Sequence, residues 1–243
     1  MGAVRLIGAP SGLGPAWGRQ RALVDIPNDV AFAEPLGRAE RFFKRALDLV
    51  LGAVLLILTL PALLLAALAI TLESPGSVIF RQERVGARGR VFQVWKLRTM
   101  SAGAPDVAHR QYVADYMQGK AERKDGVFKV VDDPRITRVG RFLRRTSLDE
   151  VPQLWNVLRG DMSLVGPRPP TVFETELYEP RAWLRLQGRP GMTGLWQVSG
   201  RAVLDYEQMV DLDLTYWESW SPLLELRILC RTFGAVVTTR GAG

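Results

Sequence analysis

The chain has 243 residues, 47% of them hydrophobic, which excludes a mostly disordered protein and allows one large domain or two small ones. Lys and Arg outnumber Asp and Glu by 32 to 25, a formal charge of +7 that favours anionic partners such as phosphorylated metabolites, anionic lipid or nucleic acid. A single cysteine, Cys230, excludes an intramolecular disulfide, and the single histidine, His109, leaves no Cys/His set for zinc.

In chain order, residues 1 to about 35 are rich in Gly, Pro and Ala without sustained periodicity and read as a loosely attached arm. The expected organisation is a flexible extension over 1–38, a membrane helix over 39–75 and a cytosolic or interfacial domain over 76–243. From Leu49 to Leu72 the segment "LVLGAVLLILTLPALLLAALAITL" carries no charge and is long enough to cross a bilayer. It starts too far from the N-terminus for a secretory signal. Arg38, Arg41, Lys44 and Arg45 precede it, and Arg81, Arg84, Arg88, Arg90 and Lys96 follow, so the charge pattern favours keeping both flanks in the cytoplasm. Pro61 near its centre removes a backbone hydrogen bond and favours a bend. The expectation is a re-entrant helix-break-helix, with Thr59 available to bond a freed backbone group; an ordinary span with a kink is the alternative.

Farther on, "GSVIFRQERVG" and "GRVFQVWKLRTM" read as two strands of a hairpin turning at Gly86 to Gly89. "DVAHRQYVADYMQGKAERKDG" is in part helical and ends in a charged loop, with His109 read as a surface residue rather than a base. "DPRITRVGRFLRR" predicts a turn and a basic helix, and "EVPQLWNVLRG" a short helix stopped by Gly160. "VGPRPP" is an extended, rigid loop. Toward the C-terminus, Trp217 and Trp220 lie between helical patterns, the second strongly apolar, and fit an interfacial helix or core packing equally well. The elements add up to an α+β, mainly helical chain. It is expected to be monotopic, with the re-entrant helix, amphipathic interfacial helices and a small cytosolic core containing the hairpin.

The chemistry centres on "RRTSLDEVPQ". A capping box from Ser147 to Glu150 would put Pro152 at the fifth helical position and damage the first turn; a later start makes Pro152 a first-turn residue. Asp149 and Glu150 then sit at the mouth of the helix, where two adjacent carboxylates could share a hard cation such as Mg²⁺. Lys96, Arg98, Arg135, Arg144, Arg168 and Arg189 are cations placed in loops or at helix edges, and Arg168 is held between Pro167 and Pro169. Preordered cations around a carboxylate pair suit phosphoryl transfer and do not suit DNA, whose backbone the carboxylates would repel.

In the order and spacing of "KRALDLVLG", "GSVIFRQERVG", "VWKLRTM", "DPRITRVGRFLRRTSLDEVPQLWNVLRGDMSLVGPRP" and "RPGMTGLWQVSGR", the chain resembles the bacterial sugar transferases from about Lys44 onward. These are the monotopic phosphoglycosyl transferases that start polysaccharide assembly on a polyprenyl phosphate. Some members carry Ser-Pro at the helix break, where this chain has Leu60 and Pro61; larger members carry further N-terminal membrane helices, so a minimal catalytic form with an extra arm is expected here. The resemblance implies a UDP-sugar donor, undecaprenyl phosphate as acceptor, Mg²⁺, UMP as product, and a catalytic domain on the cytoplasmic face of the bacterial inner membrane. It implies Asp149 as nucleophile, Glu150 as a metal ligand, and Lys96, Arg144, Arg168 and Arg189 as substrate-binding cations. A membrane glycosyltransferase releasing UDP and a non-enzymatic basic membrane adaptor are the competing readings.

Overall fold

The computed structural model describes residues 23–101, 107–121, 135–200 and 203–237. It is α+β and mainly helical. Helix α1, Arg38–Glu73, has 36 residues and would measure about 54 Å if straight. Its Leu- and Ala-rich sequence favours the helix, and Glu40 Oε2 accepts the Gly37 amide at 2.7 Å at its start. The helix is continuous through Pro61 rather than two separate helices. Thr59 does not serve the carbonyl that Pro61 orphans, which belongs to Ile57: its hydroxyl bonds Leu55 O at 2.7 Å and Leu56 O at 3.3 Å. A threonine on a helix reaches back only three or four residues, to a different pair of carbonyls.

α1 is long and apolar enough to cross a membrane. Lys44, Asp48, Gly52, Ala66 and Ile70 are buried, in two runs with a spacing of four, while Val50, Ile57, Leu58, Leu64, Leu65, Leu68 and Leu72 are exposed. The buried residues at each end pack on the rest of the protein. Lys44 Nζ donates to Val165 O and Glu225 Oε1, Asp48 Oδ1 accepts from Ser163 Oγ and the Leu164 amide, and Arg45 donates to Val157 O and Leu158 O. At the other end Ala66 and Ile70 pack with Leu97 and Leu143.

The expected loose arm is partly an ordered strap. Val24 is 3% exposed, its amide bonds Gly89 O at 3.1 Å, and Ile26, Val30 and Phe32 join Val24 against Val85, Trp183 and Leu186. Its apolar residues are too scattered to show a period, yet they find a cleft to fill. Residues 1–22 lie outside the described residues.

The expected hairpin is present: β1, Ile79–Val85, pairs antiparallel with β2, Val91–Leu97, around a 3₁₀ turn at Ala87–Gly89. Helix α2 is Val107–Met117; the His109 side chain and the charged loop beyond residue 121 lie outside the described residues. Helix α3, Arg138–Arg145, starts at Thr137, whose hydroxyl accepts the Gly140 amide at 2.9 Å. A Cβ on Gly140 would meet Thr99 O at 2.1 Å, so only glycine lets α3 lie this close to the end of β2. Leu148–Glu150 form a 3₁₀ turn, and α4 is Gln153–Arg159 with Pro152 as N-cap and Gly160 in the left-handed region at φ 85°.

The sequence reading did not anticipate a second, parallel strand pair: β3, Ser163–Val165, against β4, Gly191–Thr193. Short helices α5, Val172–Glu176, and α6, Pro180–Trp183, lie between these strands, and α7, Leu195–Val198, follows. Helices α8, Tyr206–Glu218, and α9, Pro222–Val237, complete the fold. Trp217 and Trp220 are core residues rather than interfacial ones, 3% and 8% exposed, with indole N–H groups donating to Arg185 O and Glu225 Oε1. α9 buries Glu225 and Ile228 and exposes Leu223, Leu226, Arg227, Arg231 and Phe233, an amphipathic pattern.

Candidate active site

The carboxylate pair lies on the 3₁₀ turn between α3 and α4. Ser147, just before it, has φ 57°, a left-handed conformation costly for a residue with a Cβ, and its side chain makes no cap. The turn it starts faces Asp149 and Glu150 differently: Asp149 is 9% exposed, whereas Glu150 is partly exposed and pairs with Lys96 Nζ at 2.7 Å. Burial and then the neighbouring Glu150 charge raise the Asp149 pKa to about 6, against the opposing pull of Lys96 and Arg144. Arg144 comes from the last turn of α3, where Nε donates to Thr99 Oγ1 at 3.0 Å.

Arg168 borders the same cleft with Lys96, Glu150 and Gln153. Among the described residues its guanidinium has no hydrogen-bonded or ion-paired partner. Arg84, which the sequence reading treated only as a flanking charge, is buried beside it. Its Nη1 donates to Pro169 O at 3.0 Å, and desolvation followed by repulsion from Arg168 lowers its pKa to about 10. Arg84 is itself engaged, its Nε and Nη2 donating to Gln82 Oε1 and its Nη1 lying 3.9 Å from Glu174 Oε2, so of the two guanidiniums Arg168 is the one placed to meet an anion. No local pattern marked it, since of the residues sharing its face of β1 Gln82 is partly buried and Phe80 exposed.

The structure brings together Asp149, Glu150, Lys96, Arg144 and Arg168. It does not bring Arg189 to them: that exposed residue stands beside Arg45 and Gly160, at the opposite end of α4. Arg98 ties down the end of α1, donating to Ser74 O and Pro75 O. Among the described residues no group of three or more His, Cys, Asp or Glu could hold a metal. The two carboxylates, hard oxygen donors whose mutual repulsion a divalent cation would relieve, suit Mg²⁺ held jointly with substrate phosphates.

A model of the bacterial sugar transferase family matches residues 39–239. The chain is 42% identical over 220 residues to the undecaprenyl-phosphate galactose phosphotransferase of Salmonella typhimurium, an alignment covering 90% of this chain and 44% of that protein. It is 46% identical over 209 residues to the UDP-glucose:undecaprenyl-phosphate glucose-1-phosphate transferase of Caulobacter vibrioides, with 82% of this chain and 71% of that protein covered. Over 220 residues it is 38% identical to the exopolysaccharide production protein ExoY of Sinorhizobium fredii, covering 89% and 94%. The chain spans less than half the length of the Salmonella protein and several others like it. Since the matched residues include the long apolar helix, the carboxylate pair and the cations around it, the chain belongs to the bacterial sugar transferase family.

Proposed function

We propose that the protein transfers a sugar 1-phosphate from a UDP-sugar to undecaprenyl phosphate, releasing UMP, as the first membrane step of polysaccharide assembly. The observation that carries this reading is the buried Asp149 carboxylate set next to Glu150, which with Lys96, Arg84 and Arg168 edges the cleft. An Asp149 oxygen attacks the phosphorus that bears the sugar, the bond from that phosphorus to the bridging oxygen breaks, and UMP leaves with the electron pair. A polyprenyl phosphate oxygen then attacks the same phosphorus and restores the carboxylate. Arg168 holds the phosphate oxygens, with the charge of the buried Arg84 behind it, and Lys96 exchanges Glu150 for the substrate as the diphosphate enters. Glu150 and Asp149 would hold Mg²⁺, whose charge offsets that of the diphosphate. The names of the Salmonella and Caulobacter relatives support the donor and acceptor classes.

On this reading α1 is re-entrant, and the catalytic face lies on the cytoplasmic side of the inner membrane. Support comes from its two ends. Lys44 and Asp48 are fixed to β3, Ala66 and Ile70 to Leu97 and Leu143, so one domain holds both ends while the exposed apolar middle faces outward. A span would carry one end to the far side, away from its partners.

The test is enzyme mixed with UDP-sugar and no lipid. UMP should appear in an amount bounded by the enzyme and stop, and polyprenyl phosphate should restart turnover. Release of UDP, or no release until the lipid is added, would favour direct transfer instead. Asp149→Asn should abolish both phases and the phospho-sugar adduct in intact-protein mass spectra.

A further inference from the structure

A second cavity, walled in part by Tyr116, Tyr178, Trp196, Tyr206 and Met209, shares Arg168 with the cleft. Arg168 therefore borders both the carboxylate cleft and this aromatic chamber. Two of the three tyrosine hydroxyls are engaged: Tyr116 donates to Leu204 O at 2.9 Å, and Tyr178 accepts from Arg185 Nη1 at 2.6 Å. The third is not. Tyr206 OH and Trp196 Nε1 are buried with no hydrogen-bond partner among the described residues, on side chains 8% and 6% exposed. Buried donors without partners are costly, and they mark places where a ligand supplies the missing groups.

We infer that this chamber takes the uracil ring of the donor nucleotide, an assignment that rests on the proposed use of a UDP-sugar. A planar ring stacks well on aromatic walls. Its carbonyl oxygens accept from Trp196 Nε1, which can only donate, and its N3–H can be accepted by the Tyr206 oxygen. Glu174 and Arg185 also line the chamber, but Glu174 accepts the Thr171 amide and Arg185 donates to Asp213 and Tyr178, which leaves few polar atoms for the several hydroxyls of a hexose. With uracil there, Arg168 lies between base and carboxylates, where a diphosphate must pass.

Direct binding to the full-length protein in detergent tests this, read by calorimetry with UMP and with ribose 5-phosphate, which keeps the sugar and phosphate but lacks the base. Tyr206→Phe keeps the ring and removes one hydroxyl, while Trp196→Phe keeps an aromatic wall and removes the indole N–H. Each should weaken UMP roughly fivefold or more and leave ribose 5-phosphate unchanged. The assignment is overturned if both variants bind UMP as the wild type does, or if they weaken the two ligands equally. This pattern in the variants, with no turnover of any UDP-sugar by the wild type, would sink the proposed reaction and leave the uracil site standing; turnover with UMP binding indifferent to both variants would do the reverse.

Discussion

Lys44 Nζ and Glu225 Oε1 lie 2.5 Å apart with side chains 8% and 1% exposed, joining the apolar helix to the last helix across 181 residues of sequence. The same Glu225 oxygen accepts from Tyr216 OH and Trp220 Nε1, and Lys44 also reaches Val165 O. Four elements thus meet at one carboxylate. Lys44→Met should leave that carboxylate buried without its cation and lower stability by about 3 to 5 kcal/mol. Adding Glu225→Gln should recover part of the loss. Thermal unfolding in a fixed detergent compares the three proteins, and a double variant no better than Lys44→Met would show that the pair is not coupled.

Asp149 gives an opposite effect with a defined pH dependence. Its folded pKa of about 6 lies above the ordinary value of 3.8, so its contribution to stability is full below pH 3.8 and is lost as pH rises through 6. Asp149→Asn removes the charge that is lost from water in folding. The variant should therefore be more stable than wild type above pH 6, by up to roughly 2 to 3 kcal/mol, and equal to it near pH 3.8. Unfolding curves at pH 8 and pH 4 decide; a variant that is less stable at pH 8 contradicts the assigned environment.

Arg168→Lys keeps the charge but cannot present a planar fork to two phosphate oxygens. The loss of one such contact in the transition state should cost about 2 to 4 kcal/mol, a rate reduction of tens to several hundredfold. Near-normal turnover would restrict Arg168 to long-range electrostatics.

Topology can be read with cysteines. After Cys230→Ser, single cysteines at the exposed Arg38 and Arg90 should both resist an impermeant maleimide in intact spheroplasts and both react after lysis. Labelling of just one in intact cells means that α1 spans.

How much of this was legible depended on how local the cause is. The hairpin followed from two apolar runs separated by glycines, and the place of Asp149 at a helix mouth followed from Pro152, because both are decided within a few residues. The parallel pair β3 and β4 was not legible: three residues each, and the partners of Ser163 and Val165 lie beyond two intervening helices. Arg189 sits in a motif as conspicuous as that of Arg168, yet the chain's path from β3 to β4 sends it to the other end of α4, and no local pattern encodes that path. Lys44, Asp48 and Gly52 stood in plain view at a spacing of four, but their partners Glu225, Ser163 and Val157 come from distant sequence. Trp217 and Trp220 gave no periodic clue, since a tryptophan between helices serves a core and a bilayer surface alike.

At the far end of α1 the Glu73 carboxylate accepts the backbone N–H of Arg138 at 2.8 Å and of Val139 at 3.1 Å, so the long apolar helix itself closes the first turn of α3. That short helix carries Arg144 at its other end and runs directly into the turn bearing Asp149. The apolar rod and the buried Asp149 carboxylate are therefore joined by one helix and one turn. On the proposed function, hydrophobic mismatch that tilts or lifts α1 would act on Arg144 beside Asp149, and acyl-chain length would set the geometry around that carboxylate as well as the depth at which a lipid acceptor is presented.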